Sequence, residues 1–332
     1  METSSPRNAR TVVVGGGTMG ADVAVVLARG GAQVTVVDPH AARRDHLRPH
    51  IAQELAAAGQ ATHAGPVQVC ASLQDVDWSG VVLVVECITE QLAAKQHLFA
   101  ELEAVAPAQA VLASNSSGFP ISAIAQGLAT AQRMLGLHFF MPAHLVPLVE
   151  VVLGERSDPA LGTWLHAFMR GCGSVPVLVK KDKPGFLANR MQHALSREAF
   201  ALIDEGIASP EDVDAAVRFG FGFRFLAAGP VLQRDHAGIE VHTAAAATMY
   251  PTLSNTDIPA QALRDKVAQG TLGMKTGKGF FDWPEDRKQA ERARYDTLLR
   301  QGLALLASEL PTIEPPTATS PTDTPSTTGA RA

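Results

Sequence analysis

The chain has 332 residues, 46% of them apolar and 18% charged, with a formal net charge of −5, the balance of a globular protein long enough for about two domains. No basic run marks a nucleic-acid or anionic-membrane surface, and no apolar run approaches the ~20 residues of a spanning helix, so the expected partner is a small-molecule substrate, with no nucleic acid and no membrane. Cys70, Cys87 and Cys172 are too widely spaced for a disulfide framework or a zinc site, which leaves no metal to expect and fits a reducing cytoplasm. Residues 1–10 are polar and lack the apolar core of a signal peptide.

Thr11-Val12-Val13-Val14 predicts a strand and 21–30 a helix, with Gly15-Gly16-Gly17-Thr18-Met19-Gly20 between them. This is G-x-G-x-x-G in the strand-to-helix context that gives it meaning. Small residues let the backbone approach a pyrophosphate, and the helix start offers it unpaired N–H donors. Gly15, Gly17, Thr18, Met19 and Gly20 are therefore candidate dinucleotide contacts. A second strand, 34–37, ends at Asp38, about 20 residues on, where a carboxylate meets the adenosine ribose hydroxyls. That carboxylate would repel a 2′-phosphate, so NAD is expected rather than NADP, although Arg43 and Arg44 lie nearby; a related flavin-binding fold is the remaining alternative.

A helix over 41–59 and a strand over 67–70 follow. The continuous apolar run 81–85 predicts a strand buried on both faces, ending at the ligand crevice with Glu86-Cys87-Ile88-Thr89-Glu90. Lys95, on a helix over 91–105, stands a little over one turn from Glu90, and the two read equally as ordinary surface charges. After a strand at 110–113, Ser114-Asn115-Ser116-Ser117-Gly118 stands at its carboxyl end, where ligands bind open α/β sheets; the same residues would also serve as a cap for a helix over 121–127.

The segment 136–152 has apolar runs on either side of Pro142 and Pro147 and predicts strand, bend, strand. Folded about His144, it sets His138 opposite Glu150, with Cβ atoms roughly 5 Å apart. A carboxylate there would fix the orientation and tautomer of the imidazole, as a general acid/base requires, and a structural ion pair would look the same. Asp158-Pro159 opens a helix leading to a last strand, 175–179, and the first domain is expected to end at residue 183. From 184 to 310 the pattern is helical, with Ser209-Pro210 a cap and first helical position. His236 and His242 are expected to pack inside that domain. The Pro/Thr/Ser segment 311–332 is expected to be disordered.

These segments, in this order, resemble the L-3-hydroxyacyl-CoA dehydrogenase family, including its gulonate and carnitine dehydrogenase and lambda-crystallin branch. The resemblance runs through 15–20, 85–90, 114–121, 136–152, 181–190, 205–212 and 275–281. It implies an α/β fold in which a Rossmann-type NAD-binding domain precedes an all-helical domain that forms a homodimer. It implies that His138 and Glu150 are the catalytic pair, that Ser117 and Asn189 position the reacting oxygen and the neighbouring carbonyl, and that Asp38, Glu90, Lys95, Ser117 and Lys275 contact NAD. The implied reaction is oxidation of an L-3-hydroxyacyl-CoA to the 3-oxoacyl-CoA. A free 3-hydroxy acid resembling gulonate or carnitine is the second reading, and a non-catalytic NAD-binding protein the third. Met141 stands where the family has Asn, and Pro147 where its acyl-CoA members have Lys. The helix after Asp38 offers Arg43, Arg44 and Arg48 where those members carry lysines for CoA.

Overall fold

The computed structural model describes residues 4–314. The β-branched runs of the first half pair into one eight-stranded sheet of order β3-β2-β1-β4-β5-β6-β7-β8. Its strands are β1 (Arg10–Val14), β2 (Gln33–Val37), β3 (Val67–Cys70), β4 (Val81–Glu86), β5 (Val111–Ser114), β6 (Met134–Phe139), β7 (Leu148–Leu153) and β8 (Val175–Val179). Every neighbouring pair is parallel except β6 and β7. Successive side chains of a strand point to opposite faces, so Val13 joins one core layer while Val12 and Val14 join the other. Helices α1 (Thr18–Arg29), α2 (Ala41–Ala57) and α5 (Pro159–Gly171) supply the first layer, and α3 (Leu92–Val105) and α4 (Ile121–Ile124) the second. The helix expected over 121–127 is thus a single turn ending in a cap at Ala125, with Gly127 two residues beyond it at a φ of +87°.

Strand order reverses at β1 and β4, and this switch point is where open parallel sheets bind ligands. The glycine loop fits there because nothing else would: Gly15 has a φ of +101°, and a Cβ on Gly20 would lie 1.7 Å from the Gly15 carbonyl oxygen. In the β6–β7 hairpin His138 pairs with Glu150, the register that folding the segment about His144 predicts.

The second half is helical: α6 (Ala188–Asp204), α7 (Pro210–Ala216), α8 (Gly222–Arg224), α9 (Leu232–Ala237), α10 (Ile239–Met249), α11 (Gln261–Ala268) and α12 (Glu285–Leu305). The caps expected at Asp158 and Ser209 form, accepting from Ala160 N and Asp212 N. None of these seven helices has a buried residue within the chain. His236 is exposed and His242 only half-buried, so the interior packing expected of them is not found: one chain builds no closed core here. Helix α12 reaches back to the sheet domain, Arg300 pairing with Glu54 of α2 at 2.6 Å. Of the segment expected to be disordered, residues 315–332 lie outside the described residues. Ile313 and Glu314 touch the sheet domain at Gly173 and Arg7. Among the described residues no helix is long and apolar enough to cross a membrane.

The contact at Gly20 gives a test of the loop. Gly20→Ala should destabilise the protein by more than about 3 kcal/mol in denaturant titration, because its neighbour is rigid backbone. NADH binding, followed by fluorescence, should be lost with it.

Candidate active site

A cleft of about 1290 Å³ opens over the glycine loop, lined by Gly15, Gly17, Thr18, Met19 and Asp38 and reaching Cys87 to Thr89 after β4. The buried Asp38 carboxylate accepts hydrogen bonds from Gly16 N and His40 N, both at 2.8 Å. Burial pushes its carboxyl up, but the His40 and Gly16 N–H groups and the charge of Arg43 outweigh that and hold it below the ordinary range. Burial, then the charge of Glu86, pushes the Cys87 thiol well above its ordinary value.

Behind the cleft wall lies a pair whose role is not legible from spacing. Glu86, at the end of β4, accepts from Lys95 Nζ at 2.7 Å, from Ser114 Oγ at 2.6 Å and from Ile88 N at 2.7 Å. Lys95 also stands 3.2 Å from Glu90. Lys95 is thus fully buried and absent from the cleft lining, held between Glu86 and Glu90. Glu90 in turn accepts from Ser116 Oγ, Ser117 N and Gly118 N, which fixes the loop presenting the exposed Ser117. Burial pushes the Glu90 carboxyl up, and the Ser116 hydroxyl, the Lys95 charge and the Gly118 N–H bring it below its ordinary value. Asn115 Oδ1 accepts from Phe139 N at 2.9 Å and ties this loop to β6.

On the hairpin, His138 Nδ1 lies 2.7 Å from Glu150 Oε2, with both residues buried. The other oxygen, Oε1, accepts from Leu187 N at 3.0 Å and Ala188 N at 2.8 Å, at the start of α6. Burial raises the Glu150 carboxyl, yet the His138 hydrogen bond and the Ala188 and Leu187 N–H groups together hold it low. An ionised carboxylate can only accept, so Nδ1 carries the proton and Nε2 is left as the nitrogen that can take one up. The rings of Phe140 and Phe186 pack against the imidazole at 4.5 and 5.6 Å between centroids. Asn189 is half-buried in the first turn of α6, next to the residues Glu150 holds. Met141 is 67% exposed just past the histidine strand. Lys275 sits in an exposed turn and does not line the cleft. Glu86, Ser116 and Phe186 were not singled out from sequence, because a buried acid at a strand end and one serine of three carry no spacing signal.

The 3-hydroxyacyl-CoA dehydrogenase NAD-binding domain model matches residues 10–183, and the C-terminal domain model of the same family residues 185–283. The 5-formyl-3-hydroxy-2-methylpyridine 4-carboxylate 5-dehydrogenase of Mesorhizobium japonicum is 35% identical over 290 residues, covering 85% of this chain and 94% of its own. A crystal structure of an enzyme of that name, described as an NAD+ dependent dismutase, superposes with a TM-score of 0.85 at 31% identity over 90% of this chain and 98% of that one. The (S)-3-hydroxybutyryl-CoA dehydrogenase of Ralstonia eutropha superposes with a TM-score of 0.67 at 28% identity over 83% of this chain and 99% of that one.

Two outcomes follow from these charges. Lys95→Ala leaves Glu86 buried without its cation and should cost about 3–5 kcal/mol in denaturant titration, whereas pairing Lys95→Met with Glu86→Gln should recover most of that loss. A carboxyl depressed in the fold stabilises above its unfolded pKa and loses that contribution as pH falls through the folded value. The stability advantage of wild type over Glu150→Gln should therefore be full above the ordinary value of 4.5 and close on acidification, as read by thermal melts across pH.

Proposed function

The chain belongs to the 3-hydroxyacyl-CoA dehydrogenase family and is an NAD-dependent oxidoreductase of CH–OH groups; we propose that His138 is its acid/base and that its substrate is a small free carboxylic acid. The observation that carries the first part is the His138–Glu150 hydrogen bond on the hairpin beside the dinucleotide crevice. The loop suits NAD: the Gly15 and Gly20 positions have no room for a Cβ, and Asp38 stands charged where ribose hydroxyls are expected. When bound, NAD supplies the hydride acceptor. His138 Nε2 takes the hydroxyl proton, and Glu150 stabilises the imidazolium while holding Nδ1–H. Phe140 and Phe186 keep water from the ring. Ser117 and Asn189 are assigned to the substrate oxygen and the adjoining carbonyl, and Ser117 with Gly15, Gly17, Thr18, Met19, Asp38, Glu90 and, through Glu90, Lys95 to the cofactor side.

Three features support a free acid. The single helix joining β2 to β3 carries arginines and no lysine, and Pro147 stands where acyl-CoA members have lysine. One side of α6 brings Arg190, His193 and Arg197 into a cavity of about 750 Å³ with Asn189, where the arginines could pair with a carboxylate although Asp204 and Asp257 also line it. The superposition at 0.85 is with an enzyme named for a pyridine carboxylate, against 0.67 for the hydroxybutyryl-CoA enzyme. An L-3-hydroxyacyl-CoA is the second reading, favoured by the family's own substrate name. We also propose a homodimer, because α6 to α12 leave Phe219 73% and Val231 79% exposed among many apolar side chains, more than a lone soluble chain presents. The three unpaired cysteines suit a cytoplasmic location.

His138→Ala should lower turnover about 10²–10⁴-fold while NADH affinity stays nearly unchanged, and wild-type turnover in that variant would reject the assignment. NAD reduction should be faster with gulonate, carnitine, free L-3-hydroxybutyrate or a hydroxymethyl pyridine carboxylate than with L-3-hydroxybutyryl-CoA; strong preference for the thioester would overturn the free-acid reading. Sedimentation should give twice the 35.0 kDa chain mass.

A further inference from the structure

Helix α1 buries every residue from Gly20 to Ala28, and all are apolar or glycine except Asp22. That carboxylate is 3% exposed, and the proposed chemistry gives it no task. Its Oδ2 accepts from Ala143 N at 3.0 Å, and its Oδ1 from His50 Nε2 at 3.0 Å. His144 Nδ1 is also 3.0 Å from Oδ1, without hydrogen-bond alignment. Seven residues further along the same face of α1, Arg29 Nη1 donates to the His144 carbonyl at 3.2 Å. One helix thus holds the N–H and the C=O of consecutive residues at the bend between β6 and β7.

The two ends of that connection are functional. Helix α1 starts at Thr18, directly after the glycine loop, and His50 lines the dinucleotide cleft. The bend joins the strand bearing His138 to the strand bearing Glu150. An apolar side chain would fill the site with no desolvation cost, whereas a buried carboxylate needs its donors. We propose that Asp22 is a positioning residue that registers the His138–Glu150 hairpin on the helix receiving the dinucleotide, so that filling the cleft and setting the dyad are coupled. The inference rests on the assignment of that pair as the acid/base.

Around Asp22 the facing ionisable groups are His50 and Glu54 from α2, His144 from the bend and Arg29 from its own helix; Glu54 lies 3.2 Å from His144 Nε2 and 2.6 Å from Arg300 of α12. Burial pushes the Asp22 carboxyl up, and His144 and His50 bring it below its ordinary value. The hydrogen bond to Asp22 raises the His50 imidazole above its ordinary 6.5. The charged pair therefore weakens as pH rises through the raised His50 value, and also as pH falls through the depressed Asp22 value.

The test uses the full chain labelled with ¹⁵N-histidine and titrated with ADP-ribose, which fills the dinucleotide half of the cleft without bringing a nicotinamide to His138. The His138 resonance is assigned by its loss in His138→Gln. In wild type it should shift on ADP-ribose binding; in Asp22→Ala the shift should vanish while calorimetry still registers binding. Asp22→Asn, which keeps an acceptor for Ala143 N–H, should restore it but lose its dependence on pH above the ordinary histidine value of 6.5. An undiminished shift in Asp22→Ala overturns the proposal. If that variant does not fold, a persisting pH dependence in Asp22→Asn overturns it instead. With a turned-over substrate, Asp22→Ala should lower kcat about tenfold or more in wild type but less than about twofold in His138→Ala, and equal losses count against it. The spectroscopic arm needs no substrate, so a failed substrate assignment is told apart from a failed coupling.

Discussion

The Glu150 carboxylate divides its two oxygens between the two halves of the molecule. One holds the Nδ1–H of His138, and the other holds the first free N–H groups of α6 at Leu187 and Ala188. Hydrogen bonds to an ionised acceptor are roughly twice as strong as neutral ones, and a buried carboxylate left without donors is strongly destabilising. The same group therefore sets the tautomer of the proposed base and fixes where the helical half begins. Phe186, forced into a positive φ of 49° between the two domains, closes the arrangement by packing on the imidazole.

Around that centre, electrostatic order is built in layers. Glu86 and Lys95 form a buried pair outside the cleft lining, Lys95 also reaches Glu90, and Glu90 collects the N–H groups of the loop carrying Ser117. Asp22 plays the corresponding part on the other side of the cleft, between α1 and the bend. In each case a carboxylate is held low by several donors against the cost of burial, so the charges are fixed before any ligand arrives. Two departures from the family pattern fall where this order is absent: Met141 is exposed at the mouth of the hairpin, and Arg43 of α2 lines the crevice.

The strands and the glycine loop were legible because their rules are local. A β-branched run, a G-x-G-x-x-G and an acid about 20 residues later need only the chain's own geometry. The His138–Glu150 register was legible for the same reason, since a hairpin with a known centre has a fixed pairing. Family resemblance supplied Ser117, Asn189 and Lys275, which no spacing would have chosen. Lys95 went differently: its spacing from Glu90 read equally as a surface pair and the resemblance made it an NAD contact, while its shortest contact, Glu86, belongs to a strand end nine residues earlier. The histidines at 236 and 242 were expected to be interior, and one chain does not bury them, because its helical half has no core of its own.

The sequence by itself determined the alternation of strands and helices, the dinucleotide loop and the pairing of an imidazole with an acid, all of which depend on contacts between residues near in the chain or fixed by one turn. Only the tertiary structure decided what each acid faces. Asp22 meets Ala143 across 121 residues, and Glu150 meets Ala188 across 38. Whether a carboxylate is a surface charge, a structural counter-ion or the orienting group of a base depends on burial and on donors brought from elsewhere, and those are properties of packing rather than of order along the chain.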